Sequence, residues 1–101
     1  MSQANVTIRR EDKSVRGRYL ATVPGVEGEA ELTYTRVNEH LYIAEHTEVP
    51  NVFRGQGLGR KLVTRMVEDA RAQGFKIVPN CSYVDAERRK HPEWADVFET
   101  K

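Results

Sequence analysis

The chain has 101 residues, a formal net charge of +1, 39% hydrophobic residues and 31% charged residues. This length and composition predict a single folded domain over residues 1–101 rather than a disordered chain. The near-zero charge argues against a nucleic-acid partner, and the absence of a signal peptide and of an apolar run near ~20 residues argues against a membrane partner.

The first half of the chain predicts an antiparallel sheet, because runs of alternating apolar and polar residues are separated by turn residues. Four strands are expected, at residues 6–9, 14–23, 29–37 and 41–49. In the third strand, Ala30, Leu32 and Tyr34 share one face. In the fourth strand, strict alternation places four side chains on one face: Tyr42, Ala44, His46 and Glu48.

A glycine-rich segment, Arg54-Gly55-Gln56-Gly57-Leu58-Gly59, follows the fourth strand. Glycine adopts positive φ and lets a ligand approach the main chain, and the free N–H groups of a following helix favour a phosphate. The segment lacks the Lys-Ser/Thr of a nucleotide-hydrolase loop, and its third glycine comes one residue early for a dinucleotide-binding fingerprint. The pattern that remains for a phosphate-binding loop is Arg54-x-x-Gly57-x-Gly59. The alternative is a glycine-rich turn before a helix.

A strongly amphipathic helix is predicted after this segment, with apolar residues at helical spacing from 58 to 70 and Gly74 as its stop. Its start carries Arg54, Arg60 and Lys61 where the helix dipole favours acidic residues. These cations reduce the stability of the helix unless an anion lies among them. The charge pattern therefore indicates a polyphosphorylated ligand independently of the glycines.

A further strand is expected from Phe75 to about Asn80, parallel to the strand before the helix and close to it. Ligands of such arrangements bind beyond the carboxyl ends of the strands, which here are residues 48–49 and 80–81. A short polar helix is expected at residues 85–90, and a final helical turn at 91–98 would dock on the sheet.

Four segments occur in order: His46–Pro50, Arg54–Gly59, Ile77–Val84 and His91–Trp94. Together they resemble the GNAT superfamily of N-acetyltransferases, and within it the small YjdJ-type branch, over about residues 29–98. The resemblance implies an α/β (α+β) fold with a mixed, mostly antiparallel sheet, a parallel pair around the CoA loop and helix, and few helices. It also implies acetyl-CoA as the acetyl donor.

By this resemblance, the glycine-rich loop holds the pyrophosphate of acetyl-CoA, and the Val49 backbone N–H meets the acetyl carbonyl. The residues expected to bind the cofactor are Val49, Arg54, Gly55, Gln56, Gly57, Leu58, Gly59, Arg60, Lys61 and Asn80. The acceptor is an unidentified amine, on a small molecule or a protein lysine. The alternative is a CoA-binding or acetyl-CoA-binding module with little or no catalysis.

Candidate catalytic residues lie near the end of the fourth strand. The amine must lose a proton, and Glu48, His46 and Glu45 are the candidate bases. Cys81 follows the expected neighbouring strand and precedes a predicted helix, and a nearby imidazole and a helix N-terminus both lower a thiol pKa. Cys81 could therefore carry the acetyl group covalently, with His46 beside it, or could be a small buried apolar residue.

The chain has one cysteine and three scattered histidines. One cysteine cannot form an internal disulfide, which is typical of a cytoplasmic protein. The spacing of these residues matches no zinc motif, so we expect no metal.

Overall fold

A computed structural model describes residues 5–100. The elements in chain order are the strands β1 (Thr7–Asp12), β2 (Arg16–Thr22), β3 (Ala30–Asn38) and β4 (Leu41–Glu48), the helix α1 (Leu58–Gln73), the strand β5 (Lys76–Pro79) and the helix α2 (Ser82–Lys90). Two short 3₁₀ segments lie at Asn51–Phe53 and Pro92–Val97. The strands form one sheet in the order β1-β2-β3-β4-β5, antiparallel from β1 to β4 and parallel between β4 and β5. The predicted mixed, mostly antiparallel sheet with one parallel pair is confirmed.

The core lies between one face of the sheet and the helices. In β3, Ala30, Leu32 and Tyr34 are buried as their alternation predicts. The helix α1 packs across β2 and β3, while α2 packs against β4 and β5. The apolar stripe of α1 is buried along its whole length: Leu58, Leu62, Val63, Met66, Val67 and Ala70. Burying this stripe supplies most of the stability of α1, because isolated helices of this length are marginal in water.

A β-bulge interrupts β4. Two adjacent residues of β3 pair with Ala44 and His46, which leaves Glu45 as an extra residue on β4. Because side chains alternate along a strand, the extra residue moves Thr47 to the core face, opposite Leu32, and leaves His46 on the other face. The strict alternation predicted for this strand is therefore wrong after Ala44.

The helix boundaries follow local signals. Gly74 ends α1 with a φ of 81°, so the predicted stop is confirmed. The second helix begins at Ser82, three residues before the predicted start, because Val84 is buried in the core and belongs to its first turn. The final 3₁₀ segment begins at Pro92 and buries Trp94. Within residues 5–100, no helix is both long enough and apolar enough to span a membrane.

A polar cluster around Arg10 joins β1 to the sheet and to α1. The Arg10 guanidinium lies 2.9–3.1 Å from five oxygen atoms, on Asp12, Tyr34, Tyr42, Asp69 and Gln73. Its side chain is only 12% exposed. The Tyr19 hydroxyl donates to Asp69 at 2.7 Å, and burial, together with this carboxylate, raises the pKa of Tyr19, so its hydroxyl remains a donor.

We predict that Arg10→Met destabilises the fold by about 2–3 kcal/mol, because it leaves the partly buried carboxylates of Asp12 and Asp69 without their shared cation. Arg9→Met is the matched control, because Arg9 is the adjacent residue, is 48% exposed and forms only surface ion pairs. Urea unfolding would compare the two midpoints. Equal midpoints would contradict a structural role for the cluster.

Candidate functional site

The loop between β4 and α1 takes the shape that its glycines predict. Gly55 and Gly57 have φ angles of 82° and 70°, in the left-handed region that favours glycine. A Cβ on either residue would meet no atom within 4 Å, so both point into open space. The loop is anchored by Phe53, whose side chain is buried and whose carbonyl accepts a hydrogen bond from the Gln56 N–H at 3.1 Å.

The start of α1 is open to an anion. Gly57 is the N-cap and supplies no side-chain hydrogen bond, and the first turn contains no acidic residue. The first helical bond runs from the Lys61 N–H to the Gly57 carbonyl at 3.1 Å. Within residues 5–100, the preceding N–H groups, on residues 58–60, donate to no acceptor. These free donors and the helix dipole form a site suited to a phosphate.

Cations surround this opening. Arg54, Arg60 and Lys61 are exposed. Arg60 Nε lies 3.8 Å from a carboxylate oxygen of Glu87, which is buried on α2. At this distance the pair is electrostatic rather than hydrogen-bonded. The Arg60 guanidinium therefore keeps free N–H donors for a ligand.

Gly59 contributes to helix packing. It is buried, and a Cβ there would lie 2.7 Å from the ring of Tyr83 on α2. Glycine at this position leaves room for the Tyr83 ring, which a larger residue would force to move. The sequence alone did not identify Tyr83 as a residue near the site. The glycine at position 59 is the signal that could have indicated a close contact with another side chain. Burial raises the pKa of Tyr83, and the nearby Glu87 carboxylate adds to the effect.

The strands β4 and β5 pair over only half of β4. Their register runs from Leu41 opposite Lys76 to Ala44 opposite Pro79. Beyond Ala44, β4 keeps only β3 as a strand partner. This half of β4 leads directly to the glycine-rich loop through Val49, which is 36% exposed. The backbone of this half of β4 therefore has one edge without a strand partner, on the side of β5.

The residue beside Cys81 is Thr47. The Thr47 Oγ1 and Cys81 Sγ atoms are 3.2 Å apart, and Cys81 is 6% exposed. Cys81 is also the N-cap of α2, so its position before a helix is as predicted. The expected neighbour, His46, is turned to the opposite face by the bulge. The predicted pairing of His46 with Cys81 is therefore wrong.

The other predicted residues are solvent-facing. His46 is 63% exposed, and its Nε2 lies 3.8 Å from a Glu48 carboxylate oxygen, on the outer face of β4. Asn80 is exposed just after β5, and its N–H donates to the Val78 carbonyl at 2.9 Å. Within residues 5–100, no group of three or more His, Cys, Asp or Glu side chains could hold a metal ion. The absence of a metal from the functional site stays a prediction.

Comparisons with known proteins agree with this architecture. A profile of the GCN5-related N-acetyltransferase family matches residues 18–97. Protein NATD1 of Xenopus tropicalis is 27% identical over 86 residues, which cover 85% of this chain and 79% of that protein. Human Protein NATD1 is 26% identical over 85 residues, or 84% and 75% of the two chains.

The solution structure of a GCN5-like protein from Staphylococcus aureus has a TM-score of 0.70 to this fold and 27% sequence identity. The match covers all of this chain and 93% of that one. The narrower assignment to the YjdJ-type branch stays a prediction. The family profile spans most of the sheet, the loop and both helices, and the chain belongs to the GCN5-related N-acetyltransferase family.

Proposed function

We propose that this protein transfers an acetyl group from acetyl-CoA to an amine, on a small molecule or a protein lysine. The observation that carries the proposal is the loop and helix start after β4. There, two glycines with positive φ, free N–H groups and three exposed cations form an anion site. Family membership supports acyl transfer in general, and this site supports a donor with a pyrophosphate.

The end of β4 suits the reacting thioester. In this proposal the pyrophosphate lies on the loop, and the Val49 backbone N–H polarises the acetyl carbonyl. Glu48, His46 and Glu45 have exposed side chains on this half of β4, so each could take a proton from an incoming amine. Binding and orienting the donor beside these groups supplies the proximity that acyl transfer needs.

Transfer through Cys81 is a second form of the same reaction. The Cys81 sulfur attacks the acetyl carbonyl, the bond from that carbon to the CoA sulfur breaks, and the thiol proton goes to CoA. The amine then attacks acetyl-Cys81, which forms the amide and restores the thiol. The short Thr47 contact and the α2 N-terminus would both stabilise a thiolate at this position.

A CoA-binding module with little catalysis is the second candidate function. The observation that favours it is the burial of Cys81, whose nearest polar partner is a hydroxyl and not a base. In this candidate the loop binds CoA in the same way, but no acetyl group reaches an amine.

The loop assignment predicts that Gly57→Ala weakens acetyl-CoA binding at least tenfold, because the added Cβ would fill the space that the pyrophosphate needs. Gly74→Ala is the matched control. Gly74 has a φ of 81° and open surroundings like Gly57, but it lies at the other end of α1. Both variants place alanine in the left-handed region, at similar φ and ψ angles, so calorimetric titration separates backbone strain from loss of the ligand's space. Equal affinities in the two variants would show that the loop does not hold the ligand.

The acetyltransferase proposal is tested by incubating the protein with acetyl-CoA and a panel of primary amines. We expect the amount of free CoA thiol released to equal the amount of amide formed. The panel should include small amines and lysine peptides, and mass spectrometry would identify the acetylated product. Tight binding of acetyl-CoA with no transfer to any amine would favour the binding module. No binding at millimolar ligand would exclude both candidates.

The two-step route predicts a mass increase of one acetyl group on the intact protein after incubation with acetyl-CoA without an amine. Because Cys81 is the only cysteine, Cys81→Ala should abolish this adduct. Thr47→Val should leave an adduct that forms more slowly, because the thiolate loses a hydrogen-bond donor. An adduct of the same mass on Cys81→Ala would rule out the cysteine as its carrier.

A further inference from the structure

A pocket of about 520 Å³ lies on the outer face of the sheet, which is the face away from α1 and α2. Its residues on β2 and β3 alternate along each strand with residues that are buried in the core. Six charged or polar side chains contribute to its lining: Glu11, Lys13, Arg16, Arg18, Thr33 and Glu45. A pocket of this composition suits a ligand that carries charges of its own.

Three of these charged side chains are available to a ligand. Arg18 donates to Glu11 at 3.0 Å, so these two charges are already paired. Lys13, Arg16 and Glu45 are exposed, and within residues 5–100 they form no ion pair. The Lys13 N–H donates to the Arg16 carbonyl at 2.7 Å, which holds the two cations next to each other. The pocket therefore offers two adjacent cations and one separate carboxylate.

The register of the sheet sets the distance between these charges. Arg16 pairs with Thr35 on β3, and Thr35 pairs with Ile43 on β4. Since neighbouring strands are about 4.8 Å apart, Arg16 lies about 10 Å across the sheet from β4. Glu45 follows Ile43 by two residues, toward Val49 at the end of β4. The carboxylate therefore lies between the cations and the proposed position of the acetyl group.

The distance from the cations to Val49 indicates the size of a ligand that reaches both. Ile43, in the same row as Arg16, precedes Val49 by six residues, which is about 20 Å along a strand. A small amine is too short for this distance. An extended polypeptide advances about 3.4 Å per residue, and long side chains at each end cover the remainder. A lysine and an acidic residue three to five positions apart would therefore meet both ends.

We propose that this pocket binds the acidic segment of a polypeptide acceptor, with carboxylates of that segment on Lys13 and Arg16 and a neighbouring lysine at the end of β4. This inference rests on the proposed function, because it takes the acetyl group to lie beside Val49. The Arg16 guanidinium and the Lys13 ammonium suit carboxylates, and Glu45 attracts the incoming lysine ammonium. This charge complementarity selects a lysine with acidic neighbours over a lysine in a neutral peptide.

The test measures acetylation of two peptides of equal length by the full chain. Each has a central lysine, and the residues three to five positions away on both sides are glutamate in one peptide and glutamine in the other. We expect kcat/KM to be about tenfold higher for the glutamate peptide, through a lower KM, because the added contacts are remote from the reacting atoms. Lys13→Met and Arg16→Met should each reduce this preference about threefold, and the double variant should remove it.

Arg9→Met is the matched control for net charge. Arg9 lies on the same face of the sheet but does not line the pocket, and its guanidinium is paired with Glu11 and Glu29. It should keep the tenfold preference of the wild type. Circular dichroism spectra and thermal unfolding would verify that each variant is folded before the kinetics are measured.

Four results would overturn the inference and leave the proposed function in place. These are equal kcat/KM values of the wild type for the two peptides, an unchanged preference in the double variant, the same loss of preference in Arg9→Met, and acetylation of small amines but of neither peptide. The last result would make the acceptor a small molecule. No acetyl transfer to any peptide or small amine would instead overturn the proposed function, and this inference with it.

Discussion

The extra residue in β4 determines which side chains face the candidate site. Before Glu45, β4 is an interior strand paired on both edges. After it, the strand pairs only with β3, and its alternation is shifted by one residue. This shift directs Thr47 to Cys81 and His46 to solvent. Deleting one residue here would exchange the two faces, because a side-chain period of two leaves no intermediate arrangement.

The middle of α1 is fixed by packing, whereas its first turn leaves backbone N–H groups without acceptors. Its first turn has no acidic residue and two cations, which disfavour a helix on its own, and its glycine N-cap supplies no side-chain hydrogen bond. Its middle is fixed by the buried stripe and by Asp69, which binds both Arg10 and Tyr19. The packing of the middle of α1 offsets the free energy that the helix loses at its first turn. The free N–H groups can therefore remain open for an anion without unfolding the helix.

Local patterns predicted much of this fold. Alternation identified the buried face of β3, helical spacing identified the buried stripe of α1, and Gly74 marked its end. The parallel pairing of β4 with β5 followed from a strand, a helix and a strand in succession. The first three features depend on residues close together in the sequence, and the pairing follows from the order of consecutive elements, which is why one sequence suffices to predict them.

The site was only partly predictable, because its details depend on contacts distant in sequence. The bulge at Glu45 is set by pairing with β3, and nothing in residues 41–48 marks it. The contact of Gly59 with Tyr83 joins residues 24 positions apart on two helices. The α2 start depends on burial of Val84, which no local polarity pattern reveals. The glycine loop was predictable because positive φ is a local requirement.

The bulge also places the residues of the two proposed routes of acetyl transfer, direct attack by an amine and transfer through Cys81, on opposite faces of β4. Thr47 and Cys81 lie on the core side of β4, whereas His46 and Glu48 lie on its outer side. A hydroxyl can donate to a thiolate but cannot hold its proton at neutral pH, so Thr47 does not replace a histidine as base. Attack by Cys81 thus depends on the α2 N-terminus and on transfer of its proton to the leaving CoA. Direct attack by an amine needs a base on the outer side. The two routes therefore require the thioester to be approached from opposite faces of the same strand.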